Sequence, residues 1–314
     1  MKRYILTTVM LLVCGSIIQS QSVIKEGLYL ADFENWYTRV IKESNIVGGD
    51  SISVFYIAPN GITREKGNLK VDTPWASSNV YSKVAGVTKA NVNVLPVPGP
   101  SGLCAAIETS MMTFRAMGVN LNVVAAGAIY TGKIDEPVTS MDDPYSKIDM
   151  GMPFTSKPDY LYFDYKSKIQ NSGTVTKASG FRAKTLKGTD WAQVFVILQK
   201  RWEKDGEIFA KRVGTADMFI DKSTDWVKGH KLKINYGQPK DDSIYTERCK
   251  LNSIFHTDNS SGERVAINEV DWAETDENPT HLILYISSGS LGPYVGEVGN
   301  ILYVDNIGFE YQED

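Results

Sequence analysis

From Asp50 onward, apolar and polar positions alternate in short runs broken by Gly, Pro, Asn and Ser, the pattern of an antiparallel β-protein. Strands are predicted over 51–56, 103–110, 120–128, 160–169, 192–201, 207–217, 232–235, 281–287 and 300–310. In 160–169, Leu161, Phe163, Tyr165 and Ser167 fall on one face, and Tyr160, Tyr162, Asp164 and Lys166 on the other. A sandwich strand with one wet face needs that alternation. Asp205-Gly206, between two predicted strands, can take the positive dihedrals of a tight hairpin turn. Helical composition is confined to 35–43, a stretch that reads equally well as an irregular lead-in. No segment repeats at a fixed period and no Pro/Ser/Gly linker divides the chain. Residues 21–314 are therefore expected to form one all-β sandwich of antiparallel strands, with long loops near 57–80, 131–159 and 236–280. Loops of that length are uncommon unless they are functional.

The N-terminus carries a different pattern. Met1-Lys2-Arg3 is followed by an apolar run from Tyr4 to Val13 and then by small polar residues at 16–22. That order is expected of a secretory signal peptide over 1–20, cleaved after Ser20 or Ser22. The expected address is exported: periplasmic, secreted or on the outer surface. Lipid attachment at Cys14 is the rival, and the bulky Val13 before it argues against a lipoprotein signal. No later stretch approaches the roughly 20 apolar residues of a spanning helix. Cys104 and Cys249 remain after processing; a disulfide and two buried free thiols are both open readings.

Charge narrows the partner class. The chain has 33 Lys+Arg against 37 Asp+Glu, and loss of Lys2 and Arg3 leaves 31 against 37, a net charge of −6. A nucleic-acid binder needs a dense basic footprint, which this balance argues against. A hydrophobic content of 42% with 6 Trp, 16 Tyr and 11 Phe argues against disorder. Phosphate-binding glycine loops, HExxH and Gly-x-Ser-x-Gly are absent, and no Cys/His cluster has zinc spacing. His230, His256 and His281 sit in unrelated contexts, and His281, which opens an apolar strand, reads as structural.

Sugar chemistry can run on two carboxylates, and Glu108 and Asp164 each lie mid-strand, where a charge must face water or find a partner. Trp75, Tyr145 and Tyr294 lie in turn-rich segments, where an exposed ring can cover the C–H face of a pyranose. Trp75 could equally anchor its loop to the sandwich. Gln199 and Arg201 share a strand face by parity, and a planar guanidinium can bond paired hydroxyls.

Several segments resemble a family of secreted Bacteroidetes proteins, the putative carbohydrate metabolism domain. They include Phe33-Glu34-Asn35-Trp36, Pro74-Trp75-Ala76-Ser77-Ser78-Asn79, Gly151-Met152-Pro153-Phe154, Leu198-Gln199-Lys200-Arg201-Trp202 and Tyr303-Val304-Asp305-Asn306. The resemblance runs from about residue 28 to 312. It implies a jelly-roll sandwich related to carbohydrate-binding modules and an outward-facing role in glycan use, and it carries over no catalytic residue. In such modules the first and last strands often meet at a structural calcium. Glu34 and Asp305 would be its oxygen ligands here, and the reading in which Glu34 caps a turn and Asp305 bonds backbone stands equally open; no other cofactor is expected.

The expected function is a carbohydrate-binding domain whose partner is a polysaccharide or oligosaccharide, contacted by Trp75, Gln199, Arg201 and Tyr294. The alternatives are a glycoside hydrolase or lyase using Glu108 and Asp164, and a non-catalytic adhesion protein that binds a protein partner.

Overall fold

Period-two patterning becomes strand almost everywhere the sequence predicts it. The computed structural model describes residues 29–58, 73–84, 86–116, 119–140, 142–239 and 250–312. The expected signal peptide, Cys14, Cys249 and most of the predicted 57–80 loop lie outside these. The first part of the chain supplies β1 (Tyr29–Ala31), β2 (Trp36–Lys42), β3 (Ser51–Ile57), β4 (Trp75–Ser77), β5 (Val80–Val84), β6 (Val87–Asn91), β7 (Val94–Pro98) and β8 (Leu103–Glu108). The middle supplies β9 (Ser110–Ala116), β10 (Val119–Ala125), β11 (Ala128–Ile134), β12 (Ile148–Met150), β13 (Met152–Pro153), β14 (Tyr160–Lys168), β15 (Thr174–Gly180) and β16 (Ala183–Lys187). Then come β17 (Ala192–Lys204), β18 (Glu207–Ile220), β19 (Thr224–Lys233), β20 (Asn235–Tyr236), β21 (His256–Asp258), β22 (Arg264–Trp272), β23 (His281–Ser287), β24 (Val295–Gly296) and β25 (Ile301–Glu310).

Two sheets face each other. One runs β19-β14-β25-β8-β7, with β1 added against β25. The other runs β12-β11-β23-β17-β18-β22-β21, with β4, β13 and β20 appended. Leu161, Phe163, Leu302, Val304 and Ile107 from the first pack against Val194, Val196, Leu198, Leu282 and Leu284 from the second. All ten are fully buried. Each such side chain contributes about 1.5–3 kcal/mol relative to exposure, so this seam is the main stabilising term. The fold is thus a β-sandwich, as the alternation predicts, of the jelly-roll type that the resemblance implies. One pair departs from antiparallel: β22 lies parallel to β18, reached by a long connection that carries β19 to β21.

Two predicted strands break in two, and the breaks share a corner. The 103–110 run ends at Glu108, Thr109 is buried, and β9 departs into a smaller sheet of order β16-β15-β10-β9. The 120–128 run breaks at 126–127, so β10 belongs to the small sheet and β11 to the large one. Gly127 sits at this crossing and donates its N–H to Glu108 O at 2.9 Å. A Cβ there would lie 2.8 Å from backbone atoms of both Asn93 and Glu108. The 35–43 segment is neither helix nor irregular. It is β2, paired along its length with β3, because Trp36, Tyr37 and Ile41 bury themselves in that arrangement. The expected hairpin forms at Asp205 (φ 54°) and Gly206 (φ 81°). The expected long loops at 131–159 and 236–280 hold short strands of their own.

Gly127→Ala is expected to destabilise the fold by about 1–3 kcal/mol, because the methyl group meets rigid backbone rather than a movable side chain. An unchanged midpoint in urea unfolding would contradict this reading of the corner.

Candidate functional site

On β14 the odd-numbered side chains go into the core, which leaves Tyr160, Tyr162, Asp164 and Lys166 on the outer face, all half-buried. β25 pairs with β14 so that Asp164 stands opposite Asp305. Carboxylates directly opposite each other repel, and the two are handled differently. Asp164 accepts hydrogen bonds from Gly229 N–H at 2.6 Å and from Asn306 Nδ2 at 3.0 Å. Asp305 is 1% exposed; one oxygen accepts the Asn306 N–H at 2.9 Å, and Oδ2 is buried without a hydrogen-bond partner among the described residues. Burial raises the Asp305 pKa to about 6, with the charges of Asp164, Glu34 and Asp32 adding to it.

The backbone explains this pocket. β25 pairs with β8 through Val304 and then with β1 from Ile307. Between those partners Asn306 adopts φ 50°, the left-handed conformation that asparagine tolerates. Asp305 is left at the break. Glu34 approaches from the β1 side, its carboxylate accepting the Leu103 N–H at 3.0 Å. A Cβ on Gly102 would collide with that carboxylate. Cys104 is buried beside them as a free thiol, its pKa pushed up to about 12 by burial and then by Asp305 and Glu34. The expected calcium ligands, Glu34 and Asp305, therefore do lie together. An orphaned, buried carboxylate oxygen beside a second carboxylate suits a hard cation. Among the described residues no three His, Cys, Asp or Glu side chains converge to hold an ion alone, so backbone carbonyls would have to complete its shell.

Glu108 shares the outer face with Asp164, but Glu108 aligns with Ile301 while Asp164 aligns with Asp305. Four residues along and two strands across amount to about 16 Å. Paired glycosidase carboxyls lie only about 5–9.5 Å apart. The carboxylate beside Asp164 is Asp305, a relation that pairing 141 positions apart conceals in the sequence.

Gln199 and Arg201 do meet, on the outer face of the larger sheet. Two positions apart on one strand, they share a face, and Arg201 Nε donates to Gln199 Oε1 at 2.8 Å. Gln199 Nε2 donates to Glu269 at 2.7 Å, and Arg201 Nη2 to Met150 O at 2.9 Å. Glu269 in turn forms a two-point pair with Arg212, which is 0% exposed. Both ends of the Gln199 amide are thus bonded to protein. The network also holds down β22, its parallel partner. Burial and the Arg201 charge lower the His281 pKa to about 4, and burial brings Arg201 down to about 10.

Trp75, expected on an exposed loop, is 6% exposed. Its segment forms β4 against β11, its indole N–H donates to Leu30 O at 3.3 Å, and its ring packs 6.3 Å from Phe33. It is an anchor, bordering a hollow of about 140 Å³ with Leu30 and Asp32. Tyr145 packs edge-on to Phe255. Tyr294 is half-buried at φ 64° in a loop moored by Asp190. That fully buried carboxylate accepts N–H groups of Ser290, Leu291 and Glu297. Sequence reading missed Asp190 and Glu269. A lone acid directly before the apolar run at 192–198 was the available signal for the first; nothing local marks the second.

Glu269→Gln is expected to cost about 3–5 kcal/mol in unfolding free energy, since it strands the buried Arg212 charge. His281 has a lower pKa folded than unfolded, so the unfolded chain binds more protons between about pH 6.5 and 4 and stability falls as pH falls through that window. His281→Gln should flatten that decline in a pH series of melting curves; an unaltered slope would remove His281 from the account.

Among the described residues no helix is long and apolar enough to cross a membrane. Two solved structures share the fold. A putative glycoside hydrolase from Bacteroides thetaiotaomicron aligns with a TM-score of 0.53 and 19% identity, over 92% of this chain and 72% of its own. A putative glycoside hydrolase from Bacteroides vulgatus aligns with a TM-score of 0.52 and 16% identity, over 91% of this chain and 98% of its own. No curated protein matches the sequence. Residues 32–309, nearly the whole sandwich, match the profile of one family, and the chain belongs to it: the putative carbohydrate metabolism domain.

Proposed function

We propose that this protein is an exported carbohydrate-binding domain that recognises a polysaccharide or oligosaccharide on the outer face of its six-stranded sheet. The observation that carries the reading is the lining of that face. Tyr162 lies over Gly308, where a Cβ would run into its ring. Tyr303 pairs with Trp226 at 6.5 Å, and Asp164 and Lys166 share the surface with them. Half-exposed rings beside charged hydrogen-bonding groups suit a sugar, which offers an apolar C–H face and a rim of hydroxyls. The family supports the substrate class.

Hydrolysis or lyase chemistry is the second reading, favoured by the raised pKa of Asp305 next to Asp164. Burial of Asp305 argues against it, because a substrate oxygen has to reach the acid. A structural calcium held by Asp305, Glu34 and backbone carbonyls belongs to the proposal as a device that fixes the β25 break.

Retention on a panel of plant, host and microbial polysaccharides, with reducing ends followed in the same wells, tests the function. Retention without product is expected, weakened roughly three- to tenfold by Tyr162→Ala or Trp226→Ala. Product release would move the hydrolase reading first. Protein never exposed to chelator should contain calcium by elemental analysis and melt at a lower temperature after EDTA, an effect Asp305→Asn removes. Metal-free protein at the outset would end the calcium proposal.

A further inference from the structure

The small sheet carries a charge imbalance that runs against the acidic balance of the chain. β9, β10, β15 and β16, with the turn at Phe181-Arg182, contain Arg115, Lys177, Arg182, Lys184 and Lys187 and not one Asp or Glu. Lys177 and Lys184 are direct cross-strand partners in the β15–β16 ladder. Like charges set opposite each other destabilise a sheet unless something neutralises them. Among the described residues, Lys177, Arg182, Lys184 and Lys187 take part in no ion pair.

The same hairpin is open to solvent. β16 is the edge strand and is exposed along its whole length. Phe181, at the turn, is 71% exposed, and Leu186 is 41% exposed. No atom lies within 4 Å of where a Cβ would stand on Gly180 or on Gly173. An uncovered aromatic flanked by unpaired cations has no folding rationale, because it forgoes burial and accumulates repulsion. Both features are what an anionic ring-bearing ligand would use: cations for its charges and a flat ring for its C–H face.

We propose that the β15–β16 hairpin is a second binding site, for an acidic polysaccharide carrying carboxylate or sulfate groups along its chain. Lys177 and Lys184 pair with successive anions, Arg182 extends the row, and Phe181 stacks on a sugar. The proposal rests on the carbohydrate-binding reading above and names a ligand class at a different surface. A membrane is the competing source of closely spaced anions.

The test measures binding of the purified protein to a uronate-rich polysaccharide, a sulfated polysaccharide, neutral polysaccharides and anionic phospholipid vesicles, each at low and high salt. Lys177→Glu/Lys184→Glu is compared with Lys177→Gln/Lys184→Gln and Phe181→Ala, with unfolding midpoints confirming that each variant is folded. The expected result is binding to at least one acidic polysaccharide that falls at least tenfold with salt. It should fall at least tenfold in the Glu variant and less in the Gln variant, and several-fold in Phe181→Ala. Any retention of neutral polysaccharide should be unchanged. Binding of neutral glycans alone would overturn this inference and leave the carbohydrate-binding reading standing. Acidic-glycan binding indifferent to all three variants would do the same, and so would vesicle binding without acidic-glycan binding if neutral glycans are retained. No binding to any polysaccharide would overturn both.

Discussion

Everything outward-facing in this molecule depends on the burial of one apolar seam. Val194, Val196 and Leu198 of β17 and Leu282, Leu284 and Ile286 of β23 are sealed under Leu161, Phe163, Leu302 and Val304 of the facing sheet. In a strand the next residue always points the other way. Fixing Leu161 and Phe163 inward therefore fixes Tyr160, Tyr162 and Asp164 outward, with no freedom to slip register. The surface assigned here to glycan is a geometric consequence of the core.

The second layer of constraint is polar. Where the sheets exchange strands or add irregular segments, buried charges and glycines do the fastening. Gly127 lets two strands cross between sheets, Asp190 gathers the N–H groups of the loop bearing Tyr294, and Glu269 ties a parallel strand down through Arg212 and Gln199. Such networks are costly to break and contribute modestly when whole, so they specify the arrangement more than they stabilise it. Asp305 differs from these, since one of its oxygens is not bonded to any described residue. A carboxylate left in that condition calls for a proton or a cation.

What was legible in the sequence follows from which information is local. The 281–287 strand and the 205–206 turn are read correctly because alternation and turn chemistry act within a few residues. The outward placement of Asp164 and the meeting of Gln199 with Arg201 follow from parity for the same reason. β2 is misread although Trp36, Tyr37, Thr38, Val40 and Ile41 are all strand formers; its pairing with β3 across the 43–50 connection lies outside its own stretch of sequence. Trp75 is placed on the surface by the turn residues around it, whereas β11 draws its segment into the large sheet. The Asp164–Asp305 and Gln199–Glu269 relations are set by strand order alone, which no single stretch of sequence records.

The central claim is that glycan lies on the outer face of the six-stranded sheet, and hydrogen exchange with and without a retained neutral oligosaccharide tests it most directly. The account predicts slowed exchange in β14, β19 and β25 around Tyr162, Trp226 and Tyr303, with the larger sheet unchanged. Protection confined to strands of the larger sheet would contradict it.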